Sequence, residues 1–100
     1  EMIKHIVLFR LNGFGSSEEK AEKLHELKMK FDGLMGKIPA IRSIHAGINC
    51  NPAEQFDLAL VVEVNTMEDL EAYAKHPEHQ EVVKILAPYK DGRSCVDYVF

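Results

Sequence analysis

With 100 residues, 46% of them apolar and 28% charged, the chain has the size and make-up of one globular domain. Its formal charge of −4 leaves no basic excess to neutralise a phosphate backbone, which disfavours nucleic-acid binding. The longest wholly apolar run, Leu58 to Val62, is far short of the roughly 20 residues that a membrane-spanning helix needs.

Met2 to Leu11 alternates as a strand does, with Ile3, His5, Val7, Phe9 and Leu11 on one side and Lys4, Ile6, Leu8 and Arg10 on the other. Both sides carry apolar residues, so the strand is predicted to be central. Ser16 or Ser17 then caps a helix with Glu18 and Glu19 in its first turn. Its apolar stripe is Ala21, Leu24, Leu27, Phe31, Leu34, Met35 and Ile38, weakened by Gly33 and Gly36 and ended by Pro39. Ile41 to Ile48 reads as an edge strand, and Asn51-Pro52 as the loop after it.

Phe56 to Val64 is the most strand-like segment and is expected beside the first strand. Thr66 caps a short helix whose inner face is Leu70, Tyr73 and Ala74. His76-Pro77 interrupts it, because the residue before a proline avoids the α region while proline suits the first helical position. A helix therefore restarts at Pro77, with Val82, Val83, Leu86 and Tyr89 inward. Asp91-Gly92 reads as a turn, and Arg93 to Phe100 as a last strand.

The resulting order is β-α-β-β-α-β, with the second helix broken. This is the α+β, ferredoxin-like arrangement, an antiparallel four-stranded sheet with the first and third strands central. Its helices cover one face and leave the other bare. Either Ile6 with Leu8 or Val7 with Phe9 would lie on that bare face, depending on which side meets the helices. An uncovered apolar patch points to self-association, and back-to-back pairing of two sheets makes a dimeric α/β barrel. The short length favours a homodimer as well, since so small a domain buries a modest share of its unfolded surface.

Cys50 and Cys95 are too few for a disulfide framework and fall near opposite sheet edges. The N-terminus runs directly into Lys4, His5 and Arg10 without an apolar leader. Both features predict a reduced, cytoplasmic chain.

Among chemically capable residues, His79 stands out. It shares a helix face with Val82, Val83 and Leu86, which turns its imidazole toward the sheet, and its place in the first helical turn favours the neutral form. Tyr73, one turn before the break, offers a phenolic hydrogen bond to an oxyanion. His5 reaches the same space if the odd-numbered face is the covered one. Val7, Leu24, Val83 and Leu86 are the expected apolar lining of such a pocket. The plainer reading makes the histidines hydrogen-bonded structural groups and Tyr73 a core aromatic. No metal site is expected: His76 and His79 are three apart, but no third ligand has suitable spacing nearby. His25 and His45 read as surface or dimer-contact residues. Gly13-Phe14-Gly15 lacks the further glycines and lysine of a phosphate loop. Glu78, Glu81, Lys84 and Lys90 read as a solvated helix face.

Four segments carry a family resemblance: Lys4 to Phe9, Asp57 to Glu63, the Y-x-x-H-P-x-H run from Tyr73 to His79, and Val96-Asp97-Tyr98. Together they resemble the stress-responsive A/B barrel domain family over nearly the whole chain. The resemblance implies a ferredoxin-like domain paired into a dimeric α/β barrel. It also implies, from a plant polyketide cyclase of the family, cofactor-free and metal-free aldol chemistry in which His5, Tyr73 and His79 match the important groups. A further histidine of that cyclase falls at about Leu60 here, a departure that weighs against the same substrate and the same reaction. The expected function is binding of a small carbonyl-containing molecule, with acid–base chemistry of cyclase or lyase type and no cofactor. The alternative is a non-enzymatic dimeric stress protein.

Overall fold

The computed structural model describes all residues, Glu1–Phe100. Strands β1 (Ile3–Leu11), β2 (Ser43–Ile48), β3 (Leu58–Val64) and β4 (Lys90–Val99) form one antiparallel sheet in the order β2-β3-β1-β4. Helices α1 (Ser17–Asp32), α2 (Met67–Lys75) and α3 (Pro77–Leu86) lie on one face of it. The ferredoxin-like order and the central β1–β3 pair are as the sequence predicts.

Register decides which side of β1 meets the helices. Ile3, His5, Val7, Phe9 and Leu11 are buried, and the residues opposite them on β3, Val64, Val62, Leu60 and Leu58, are buried too. Ile6 and Leu8 therefore lie on the open face, beside Val61, Ala59 and Val96. The core is a single cluster joining this covered face to Leu24, Leu27 and Phe31 of α1, Leu70 and Tyr73 of α2, and Val82 and Leu86 of α3.

Three segments differ from expectation. Helix α1 stops at Asp32 with Gly33 as its C-cap, and Gly36 takes a positive φ of 88°. Leu34 and Ile38 still enter the core from the turns that follow, while Met35 and Ala21 are exposed. Asp91-Gly92 is not the turn into the last strand. The reversal is made by a 3-10 turn, Ala87–Tyr89, and β4 already begins at Lys90. Leu11 faces Lys90 and Arg10 faces Gly92, so Asp91 is the extra residue of a β-bulge. Its carbonyl accepts hydrogen bonds from Arg10 Nε and Nη2 at 3.2 and 2.9 Å. Tyr89 lies in the turn rather than on α3, with its ring stacked on Phe14 at 4.4 Å.

Candidate active site

The break between α2 and α3 sets the geometry of the site. Pro77 has no N–H to give to Tyr73, and His76 takes the extended conformation (φ −63°, ψ 136°) required before proline. The N–H of Glu78 turns to His76 Nδ1 at 3.1 Å, so His76 is the N-cap of α3. The carbonyl of Ala74 is thereby released from the helix ladder. His79 Nδ1 lies 2.9 Å from it and Gln80 Nε2 donates to it at 2.6 Å. A carbonyl only accepts, so Nδ1 of His79 carries the proton and Nε2 is left with the lone pair. The H-P-x-H spacing thus fixes a tautomer as well as a direction.

His5 reaches the same region from β1. Its Nδ1 lies 2.5 Å from Asp97 Oδ1, across the antiparallel pairing that sets His5 opposite Asp97. The carboxylate accepts from Nδ1–H and holds the ring in one orientation. Between the two imidazoles stands Tyr73, with ring centroids 4.4 Å from His79 and 6.3 Å from His5. Tyr73 is 1% exposed, and its hydroxyl is buried without a hydrogen-bond partner in the protein. A buried hydroxyl of this kind costs stability, so its retention calls for an explanation.

All three side chains line a cavity of about 530 Å³ between the sheet, α2 and α3. Val7, Phe9, Phe31, Leu60, Val83 and Leu86 give it apolar walls, and Lys90 and Arg93 of β4 also line it. Its size and make-up suit a small organic ligand. Burial lowers the pKa of His79 against the opposing effect of the Ala74 carbonyl, and nearby His5 lowers it further. His79 is therefore neutral near pH 7, chiefly through desolvation rather than through the helix terminus that the sequence suggested. Burial alone pushes the Tyr73 phenol well above its ordinary range, so it stays a protonated donor.

The structure brings His5, Tyr73 and His79 together, with Val7, Val83 and Leu86 beside them. Leu24 does not line the cavity. It is a buried core residue at the middle of α1, and Phe31, two turns further along the same stripe, takes the lining position. Lys90 is at the cavity and not on a solvated helix face, because the 3-10 turn carries it onto β4. Asp97, Cys95 and Arg93 are the polar neighbours that spacing along the chain did not reveal. Their signal is alternation on β4, which places them on the face shared with His5, Val7 and Phe9.

A ferredoxin-like α+β domain, with an imidazole–phenol–imidazole cluster on the wall of an apolar cavity, is the class that this fold and site define. The chain belongs to the stress responsive A/B barrel domain (Dabb) family, whose model matches residues 3–100. It is similar to a dimeric protein of unknown function and ferredoxin-like fold from Bacteroides fragilis NCTC 9343. The two are 44% identical, over 99% of this chain and 96% of that one, with a TM-score of 0.94. A dimeric ferredoxin-like protein of unknown function from Thermobifida fusca YX is 25% identical over 99% and 91% of the two chains, with a TM-score of 0.83. The hydroxynitrile lyase of Passiflora edulis shares the fold at 18% identity, over 100% and 94% of the chains, with a TM-score of 0.80. Among curated proteins none matches the chain. No helix is long and apolar enough to cross a membrane.

Proposed function

We propose that this Dabb protein binds a small carbonyl compound in the cavity and moves a proton next to the carbonyl without a cofactor, as a cyclase or lyase does. The single observation behind this reading is the Tyr73 hydroxyl, buried, unpartnered and set between two oriented imidazoles. A ligand carbonyl oxygen supplies the missing acceptor. His79 Nε2 removes a proton from the adjacent carbon; the electron pair of that C–H bond forms a C=C bond, and the carbonyl π pair moves onto the oxygen, giving an enolate. The Tyr73 O–H donates to this oxygen, and its hydrogen bond strengthens as charge develops there. His5, oriented by Asp97, positions the ligand from the strand side. The enolate then either forms a C–C bond to a second carbonyl of the same molecule, whose oxygen takes the proton held by His79, or takes that proton back at carbon. That a hydroxynitrile lyase shares this fold supports an enzymatic reading.

The assembly proposed is a homodimer through the open sheet face, in keeping with the dimeric relatives. Two exposed free thiols, Cys50 and Cys95, fit a reducing cytoplasm. The reading is tested by proton–deuterium exchange at carbons beside the carbonyl, followed by NMR in heavy water over a panel of ketones and linear polyketide mimics. The wild type is expected to speed exchange for a subset, and His79→Ala to remove that acceleration while staying folded. Exchange no faster than in buffer across the panel, or acceleration indifferent to His79, overturns it. A structural role is favoured by one fact, that each imidazole already has a partner for one nitrogen. On that reading His79→Ala lowers the melting temperature and changes nothing else.

A further inference from the structure

We propose that His5, Cys95 and Asp97 form a binding site for a zinc-type divalent cation at the β1–β4 edge, on the helix-facing side. The antiparallel register places Asp97 opposite His5 and Cys95 opposite Val7, so Cys95 and Asp97 stand two apart on one face of β4 with His5 beside them. One nitrogen, one sulfur and one oxygen donor fall within 4.8 Å of one another. Cys95 Sγ is 3.5 Å from His5 Nδ1 and 3.7 Å from Asp97 Oδ1. The zinc bond lengths to sulfur, nitrogen and oxygen give tetrahedral edges of about 3.6 Å from sulfur to either other donor, so two of the three edges already fit. The third, from His5 Nδ1 to Asp97 Oδ1, is 2.5 Å. It must open to about 3.4 Å, and a turn of the exposed Asp97 carboxylate provides this.

The donor chemistry selects the ion. A thiolate and an imidazole favour zinc over magnesium or calcium, which take oxygen ligands. Binding releases the Cys95 thiol proton to solvent, and the resulting thiolate and the carboxylate together balance the two positive charges. His5 is buried and held by the sheet, while Cys95 and Asp97 are exposed, which leaves the fourth position to water. Loading also changes the cavity. An ion on Nδ1 of His5 takes the lone pair of that nitrogen and leaves the proton on Nε2, so the imidazole that lines the cavity becomes a donor on its free side.

The test uses the full, untagged chain, freed of metal and titrated with cobalt(II), which reports thiolate ligation by a near-ultraviolet charge-transfer band. One equivalent is expected to raise the band and zinc to displace it. Cys95→Ser should abolish it, Asp97→Asn should weaken binding at least tenfold, and Cys50→Ser should leave it unchanged. His79→Ala should also leave it unchanged, which separates this site from the proton-transfer reading. Absence of the band in the wild type, its survival in Cys95→Ser, or its loss in Cys50→Ser overturns the proposal.

Discussion

The two faces of the sheet are made by the same strands and carry opposite exceptions. On the face under the helices the field is apolar, from Val7, Leu60 and Val62, and the buried polar residue is His5. On the open face Ile6, Leu8, Val61 and Val96 make an apolar centre, and Val96 stays 54% exposed. Charged pairs rim that centre, Lys4 with Glu63 at 3.5 Å and Arg10 with Asp91 at 3.7 Å. An apolar core with a polar rim is the anatomy of a protein interface, whereas a polar group inside an apolar wall is the anatomy of a ligand site. Alternation along one strand separates the face proposed for self-association from the face proposed for chemistry.

The same charge placed on adjacent residues of β3 should separate the two faces by the largest margin. Val62 is fully buried and Val61 is on the open face. Val62→Asp buries an unpaired carboxylate and is expected to cost at least about 3 kcal/mol, enough to leave much of the chain unfolded. Val61→Asp should leave the circular dichroism spectrum native but turn a dimer into a monomer by sedimentation. The melting temperature of the wild type should rise with protein concentration, and that of Val61→Asp should not. A native dimer of Val61→Asp would show that the open face is not the interface.

On the covered side, Tyr73→Phe separates stability from chemistry. The hydroxyl it removes is buried and unpartnered. Melting should therefore be unchanged or improved by up to about 1 kcal/mol. Any proton-transfer rate should meanwhile fall by about a hundredfold or more, the usual cost of a lost oxyanion donor. If Tyr73→Phe melts lower and transfers protons as before, the hydroxyl is structural. His79→Ala is expected to remove the same activity by a different route, through loss of the base.

Much of this contrast was legible in the residues. The odd and even sets of β1, the proline break and the convergence of Tyr73 with His79 all follow from spacing, because each depends on local periodicity. The end of α1 did not, since Leu34 and Ile38 keep helical spacing after the backbone has left the helix, and their burial comes from turns that fill the same core. Asp91-Gly92 has the local preference of a turn, yet pairing with β1 draws it into the strand as a bulge. The Asp97 partner of His5 is 92 residues away in sequence. Only the register between the first and last strands puts the two side by side, and periodicity within one segment contains no register.

The smallest effect expected is also the one that tests the electrostatics of the site most directly. Burial holds the pKa of His79 below its ordinary value, so the unfolded chain binds a proton there more readily than the folded one. The contribution of neutral, buried His79 to stability is thus complete above the unfolded value of about 6.5 and is lost as pH falls through the lower folded value. His79→Gln cannot titrate. Denaturant unfolding from pH 7.5 downward should show the wild type losing stability more steeply than His79→Gln below about pH 6.5, with the two curves parallel above it. Equal slopes throughout would mean that the imidazole is as well solvated in the folded protein as in the unfolded chain. The desolvated base that the proposed proton transfer requires would then be absent.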